Sequence, residues 1–242
     1  MNIAFYTSST GLIQSQKGLD VVANNVANVQ TTGYIPLRAS FSDLLYTVRQ
    51  TGNEDLQTGH GSRVEKTDLM FSLSSMEMTD RALDFAIPDE GFFAVRDGET
   101  GEVSYTRNGQ FSISQTGQNG EWKLVDSYGR FVQNSTGTDI TVPMTQGGTA
   151  DTAALLPLLG VYTFDNPYGL LANAQNSYTA TASSGAATAD TTMEKLSGAL
   201  VRSGVDIADE MIRMMEVQRS LQLNAKLLQT ADELANIANN LR

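Results

Sequence analysis

Few residues in this sequence have the type and spacing that catalysis requires. The 242 residues include one His and no Cys, which excludes disulfides, thiolate chemistry and Cys-ligated metal sites and gives no basis for a catalytic triad or a His-based metal site. The single histidine, His60, stands between Gly59 and Gly61 in a polar stretch, a poor place to hold one catalytic tautomer. We therefore interpret His60 as a solvated loop residue.

Two acidic clusters remain as candidates for chemistry. Residues 97–102 gather three carboxylates, but their spacing differs from that of a calcium-binding loop and favours a hairpin turn. Asp89 and Glu90 could supply the paired carboxylates of a glycosidase, yet adjacent residues of a strand point to opposite faces. The sequence also contains neither the phosphate-binding pattern G-x-x-x-x-G-K-[ST] nor a dinucleotide-type glycine fingerprint. It gives no reason to predict an enzyme, a cofactor or a metal site.

The charge balance excludes further classes of function. Sixteen basic and 27 acidic residues give a net charge of −11, spread along the chain, so neither nucleic acid nor an anionic membrane is an expected partner. No run of 18 apolar residues exists, which argues against membrane insertion. The first residues have no basic segment followed by an apolar one, so we expect no cleaved signal peptide. On composition alone the default location is the cytoplasm.

The first elements in the chain are read as helices. Apolar residues at helical spacing predict a helix over 11–29, and the following Gly33 is expected to stop it. A shorter helix is predicted over Ser42–Val48, and the polar, glycine-containing residues 50–66 are expected to form an exposed, mobile loop.

From about Asp84 to Phe164 the apolar period changes to two. Short runs separated by turn residues such as Asp97-Gly98, Asn108-Gly109, Asn119-Gly120 and Gly129 predict a small antiparallel sandwich or barrel-like sheet. The predicted strands are Phe92–Val95, Val103–Thr106, Phe111–Ser114, Trp122–Val125, Gly129–Val132, Ile140–Val142 and Leu159–Phe164. Two low-complexity stretches, 145–154 and 177–192, are interpreted as linkers or surface loops.

The last segment predicts one long helix. Residues 206–241 contain no Gly or Pro, Asp206 is a candidate N-cap, and Asp209 and Glu210 place negative charge in the first turn. Thirty-six helical residues would span about 54 Å and carry two apolar stripes. The N-terminal helix can cover one stripe, so the other is expected to pack on another molecule.

These patterns predict an α+β fold: long terminal helices forming a coiled-coil-like domain, with a small antiparallel all-β domain between them. The expected divisions are 1–75 as N-terminal helical segment and linker, 76–176 as β domain, 177–195 as connection and 196–242 as C-terminal helix. The predicted assembly interface uses apolar residues of both termini: Leu12, Leu19, Val22, Val26, Val29, Ile207, Met211, Met214, Leu221, Leu228 and Leu234.

Three separated motifs resemble the bacterial flagellar rod and hook protein family. Residues 11–41 contain Ala23-Asn24-Asn25-Val26-Ala27-Asn28 followed by Thr31-Thr32-Gly33-Tyr34, and residues 205–226 resemble the family's closing helix with Gln218, Arg219 and Asn224. The middle motifs are Gly91-Phe92-Phe93-Ala94-Val95, Tyr105-Thr106-Arg107-Asn108-Gly109 and Tyr162-Thr163-Phe164-Asp165-Asn166-Pro167. The length and the single middle domain favour the distal rod type, with a proximal rod or hook-type paralogue as the alternative.

The resemblance implies a structural subunit that polymerises into a helical tube and transmits torque to the hook. Members of the family are exported by the flagellar type III apparatus without a cleaved signal, so the expected location changes to the basal body, outside the cytoplasmic membrane. Expected partners are further copies of the chain, other rod and hook proteins and the export apparatus. A second hypothesis is a secreted β-domain binding module whose helices form an oligomerisation stalk.

Overall fold

A computed structural model describes residues 3–51, 54–71, 75–115, 121–143 and 151–241. The chain divides into two compact units. The helical unit comprises Met1–Ala27, Leu37–Asp68 and Val205–Arg242, and the β unit comprises Asn28–Pro36 and Leu69–Gly204. Terminal helices and a central antiparallel sheet are both present, so the predicted α+β class is confirmed.

The elements follow one another in this order: α1 (Ile3–Ala27), β1 (Leu37–Asp43), β2 (Tyr46–Thr51), β3 (Glu54–Gly59), β4 (Ser62–Leu69), β5 (Met76–Met78), β6 (Phe85–Ala86), β7 (Phe92–Arg96), β8 (Val103–Thr106), β9 (Ser112–Gln115), β10 (Trp122–Val125), β11 (Phe131–Val132), α2 (Thr152–Leu155), β12 (Val161–Thr163), β13 (Leu171–Asn173), β14 (Ser177–Thr179), β15 (Thr188–Ala189), β16 (Leu196–Ser197), β17 (Ala199–Val201) and α3 (Ile207–Asn240). Short 3-10 helices lie at Leu156–Leu158 and Pro167–Gly169.

The helical unit consists of α1, α3 and two small β pairs. Strands β1 and β4 form one pair, and β2 and β3 form an antiparallel hairpin. Helix α3 has 34 residues and begins after the predicted N-cap Asp206, whose side chain accepts from the amides of Ala208 and Asp209. At 1.5 Å per residue it is about 51 Å long.

The β unit contains a nine-stranded sheet with the main order β13-β14-β8-β7-β11-β10-β9, while β12 pairs with both β7 and β15. All of its pairings with a stated register are antiparallel, as the hairpin turns predict. Its core is built from large apolar side chains, including Phe85, Phe93, Phe111 and Leu124. The turn at 97–102 between β7 and β8 is closed by the amide of Asp97 on the carbonyl of Glu102 at 2.9 Å.

The predictions for residues 42–66 are wrong. The expected helix Ser42–Val48 is replaced by the end of β1 and the start of β2, and the expected loop 50–66 contains β3 and most of β4. Leu45, which lies between β1 and β2, is 88% exposed. The hairpin is held by backbone pairing, which needs no apolar alternation to form.

Residues 177–201 also differ from the prediction. The stretch 177–192 is not a linker, because β14 pairs with β8 and β13, β15 pairs with β12, and Tyr178 is buried. The C-terminal segment from 196 begins with strands β16 and β17, and the helix begins only at Ile207. Likewise Ile140–Val142 makes an isolated bridge at Thr141 rather than a strand.

The N-terminal helix is longer at its start and shorter at its end than predicted, since it runs from Ile3 to Ala27 rather than over 11–29. The predicted turn at Asn119-Gly120 and most of the stretch 145–154 lie outside the described residues, although α2 occupies 152–155.

Candidate assembly interface

Helices α1 and α3 pack side by side in an antiparallel register. The hydroxyls of Ser15 and Ser220 are 3.1 Å apart. A Cβ added at Gly11 would lie 3.0 Å from Nδ2 of Asn224, and one added at Gly18 would lie 4.0 Å from Val217. As the residue number falls along α1, the number of the facing residue in α3 therefore rises by the same amount.

The fully buried positions of the two helices carry mainly small and polar residues. The buried residues of α1 are Ser8, Gly18, Val22 and Asn25, and those of α3 are Glu210 and Ala231. Small side chains let two helices approach closely, but they bury little apolar area. The fully buried positions of the helix pair therefore contribute little apolar area.

The residues of the predicted assembly interface fall into two groups. Val22 is buried, and Leu12, Leu19, Val26, Val29, Met214, Leu221 and Leu228 are half-buried. Ile207, Met211 and Leu234 are exposed. The prediction assigned all eleven to the assembly interface, and in the single chain the exposed group lies on the outside of the helical unit.

Sequence reasoning left further exposed apolar residues of the helices out of the interface. Several of those on α3 could have been found from the second apolar stripe of the C-terminal helix. The exposed apolar residues of α1 follow no clear periodicity. This exposed apolar set also contains Ile3, Phe5, Tyr6, Ile13, Ile212, Met215, Leu223, Leu227, Ile237 and Leu241.

The end of α3 reaches beyond α1. Because Gly11 lies against Asn224, Ile3 falls beside Asp232, eight residues farther along α3. Residues 233–241 therefore extend past the first described residue of α1. This overhang carries Leu234, Ile237 and Leu241, of which Leu241 is 84% exposed.

Gly33 of the N-terminal motif is required by a close approach within the β unit. Its φ is +66°, and a Cβ there would lie 2.5 Å from the backbone C and O of Arg107. Its amide donates to the carbonyl of Val201 at 2.8 Å, and the carbonyl of Tyr34 accepts from the amide of Gly204 at 3.0 Å. Only glycine fits both the dihedral angle and the space.

Asn25 joins the last turns of α1 to β1. Its Nδ2 donates to the carbonyl of Leu37 at 2.8 Å, and its Oδ1 accepts from the amide of Leu37 at 3.0 Å. The side chain thus satisfies both backbone groups of one residue, as a neighbouring strand would.

The other motif residues have different surroundings. Oδ1 of Asn28 accepts from the hydroxyl of Thr31 at 3.1 Å, and Asn224 lies half-buried against Gly11. The remaining four are exposed on the two helices: Asn24, Ala27, Gln218 and Arg219.

The residues considered above as candidates for catalysis or metal binding take part in local structure. Exposed His60 hydrogen-bonds the hydroxyl of Thr47. In the turn at 97–102, hydrogen bonds from the Glu99 amide and the Thr100 hydroxyl lower the pKa of Asp97. Asp89 and Glu90 lie in a bend rather than the expected strand.

Among the described residues, no cluster of three or more His, Asp or Glu residues could hold a metal ion, and no helix is long and apolar enough to cross a membrane.

Three family models match this chain in order. The model described as "Flagella basal body rod protein" matches residues 5–34, "Flagellar hook protein FlgE/F/G D1 domain" matches 86–153, and "Flagellar basal body rod FlgEFG protein C-terminal" matches 196–241. The first and third cover most of α1 and all described residues of α3.

Similar proteins match along nearly the whole chain. The flagellar basal-body rod protein FlgG of Borreliella burgdorferi is 33% identical over 99% of this chain and 98% of its own length. FlgG of Bacillus subtilis is 31% identical over 99% and 98%. The flagellar hook protein FlgE of Helicobacter mustelae is 32% identical, but over 54% of this chain and 30% of its own length. The chain therefore belongs to the flagellar rod and hook protein family, as a structural protein of the basal-body rod of the FlgG type.

Proposed function

We propose that this distal rod subunit polymerises with copies of itself through α1 and α3, as coiled-coil-like helices, into a helical tube that transmits torque to the hook. Other rod and hook proteins would continue the tube. The flagellar export apparatus would deliver the chain, without a cleaved signal, to its place outside the cytoplasmic membrane.

The observation that carries the proposal is the exposed apolar set on the two helices. Soluble monomers rarely leave so many large apolar side chains of one element exposed together, and such surfaces mark interaction sites. The overhang at 233–241 adds residues that extend past the described start of α1. The full burial of one such side chain contributes about 1.5–3 kcal/mol, so several contacts per subunit can offset the entropy of ordering the helices.

The test is a charge placed on the exposed set. Leu234 is 64% exposed, so Leu234→Asp should leave the free chain folded and abolish polymers, because an unpaired carboxylate would be buried between subunits. The measurement is sedimentation and negative-stain electron microscopy of the full chain. Gln222→Asp, at an exposed polar position of the same helix, is the matched control and should polymerise normally.

Two half-buried positions extend the test. Leu19→Asp and Leu228→Asp should also abolish assembly while the β unit keeps its thermal transition. Normal polymers from Leu234→Asp would contradict the proposal.

A further inference from the structure

Each helix of the pair buries one residue with a large polar side chain. Asn25 is 1% exposed and Glu210 is 3% exposed. The antiparallel register that places Gly18 near Val217 places Asn25 near Glu210, since Asn25 lies one heptad after Gly18 in α1 and Glu210 lies one heptad before Val217 in α3. The other buried positions of the two helices carry small or apolar side chains, or the Ser8 hydroxyl.

Glu210 has one satisfied and one unsatisfied carboxylate oxygen. Its Oε1 accepts from Nη1 of Arg213 at 2.8 Å, while its Oε2 is buried without a hydrogen-bond partner. The residue lies in the first turn of α3, where the positive end of the helix dipole favours a carboxylate. A buried, half-satisfied charge costs stability, so a role other than packing is needed to account for it.

Asn25 couples the position of α1 to that of β1 through hydrogen bonds. Its side chain holds both backbone groups of Leu37, the first residue of β1. A shift of α1 along α3 would therefore either break these two bonds or move β1 with the helix.

The rest of the seam discriminates weakly between registers. Gly11, Ser15 and Gly18 are small enough to accept many residues of α3, and apolar or small residues recur along both helices at heptad spacing. A shift by one heptad in one direction places Glu210 opposite Gly18, and a shift in the other places Asn25 opposite Val217. Either shift separates the two buried polar residues.

We propose that Asn25 and Glu210 determine the register of α1 on α3. Buried polar residues at single seam positions are known to select register at some cost in stability. A fixed register also fixes which residues of α3 overhang α1, and this part of the inference rests on the proposed function.

Engineered disulfides can report the register, because the native chain has no Cys. Ser15→Cys with Ser220→Cys reports the observed register, since the two hydroxyls are 3.1 Å apart. Ser15→Cys with Leu227→Cys, and Ser8→Cys with Ser220→Cys, report shifts of one heptad in the two directions. Each pair is oxidised in the full-length chain at high dilution, and the cross-linked fraction is measured.

The expected result is a change of register when the carboxylate is lost. Glu210→Leu should lower the ratio of observed-register to shifted cross-links at least about fivefold, whereas Glu210→Gln, which keeps a polar group there, should retain the ratio. Gln222→Leu, at an exposed position of α3, is the control and should retain it too. Glu210→Ala removes the carboxylate without adding volume and should lower the ratio even if Glu210→Leu fails to fold.

An unchanged ratio in both Glu210→Leu and Glu210→Ala would overturn the inference. The ratio is measured on chains that are not assembled, so it does not depend on polymer formation. Conversely, normal polymers from Leu234→Asp would contradict the proposed function and leave the cross-link ratio as an independent result.

Discussion

The two units of this chain differ in what fills their interiors. The β unit buries Phe85, Phe92, Phe93 and Phe111 completely, and Phe92 makes edge-on contacts with Phe71, Phe164 and Tyr178. The buried residues of α1 and α3 are Ser, Gly, Asn, Glu and Ala, with Val22 as the one larger aliphatic residue among the described buried positions of these helices. The larger apolar residues of these two helices are otherwise half-buried or exposed.

This difference supports the proposal that the helical unit completes its packing on other molecules. Apolar burial supplies most of the free energy that offsets chain entropy. The β unit obtains it within one chain, whereas the helical unit leaves the exposed apolar set unburied in the single chain. We therefore expect large effects of core substitutions in the β unit on the monomer, and effects of helix-surface substitutions chiefly on the polymer.

The largest expected effect tests this contrast directly. Phe93→Ala should lower the free energy of unfolding of the β unit by about 3–5 kcal/mol, because it deletes a fully buried ring. Leu223→Ala, at a residue that is 63% exposed, should change the free energy of unfolding of the monomer by less than about 0.5 kcal/mol. Urea unfolding of both variants measures the difference. Equal losses would mean that the helical unit has an intramolecular core comparable with that of the β unit.

A second prediction concerns the motif glycine in the β unit. Gly33→Ala should cost about 3 kcal/mol or more, because the new Cβ meets the Arg107 backbone in addition to the strain of a positive φ. Gly101 also has a positive φ, of +74°, but a Cβ there meets nothing within 4 Å. Gly101→Ala should therefore cost only the conformational part, about 1–2 kcal/mol. Thermal unfolding separates the two, and similar melting temperatures would show that the contact with Arg107 is unimportant.

The smallest expected effect is an ion-pair contribution to the β unit. Burial raises the pKa of Asp139, but hydrogen bonds from Arg96 and Lys123 lower it more, so its pKa lies below the usual value. A lowered pKa in the folded state stabilises the protein above the unfolded pKa, near 4, and this stabilisation is lost as the pH falls through the folded value. Asp139→Asn should cost about 1 kcal/mol at pH 7, and the difference from wild type should shrink below about pH 4.

Urea unfolding at several pH values measures this effect. Glu121→Gln, at an exposed position next to β10, is the control and should match wild type throughout. A difference between Asp139→Asn and wild type that is the same at pH 7 and at pH 2 would show that the carboxylate acts through shape and not through charge.

Most elements of the β unit could be predicted from period-two apolar runs and turn residues, because buried strands need alternating side chains. The predictions were wrong where pairing does not depend on apolar alternation. The hairpin β2–β3 is held by backbone hydrogen bonds between polar segments, and the Ser- and Thr-rich stretch 177–192 is placed in the sheet with a single large buried side chain, Tyr178.

The candidate interface could likewise be predicted only in part. The two apolar stripes of α3 could be predicted from helical periodicity, but the choice of the face that α1 covers could not. That choice depends on contacts such as the close approach of Gly11 to Asn224, about two hundred positions away, and no local pattern reports it.

The sequence by itself therefore determined the α+β class, the N-cap at Asp206 and the family motifs, because these follow from local periodicity and from residue types at fixed spacing. Only the tertiary structure decided which apolar residues remain outside, that Gly33 lies against Arg107, and that Asn25 is buried against the start of β1. The physical reason is that burial and register depend on contacts between segments far apart in the chain.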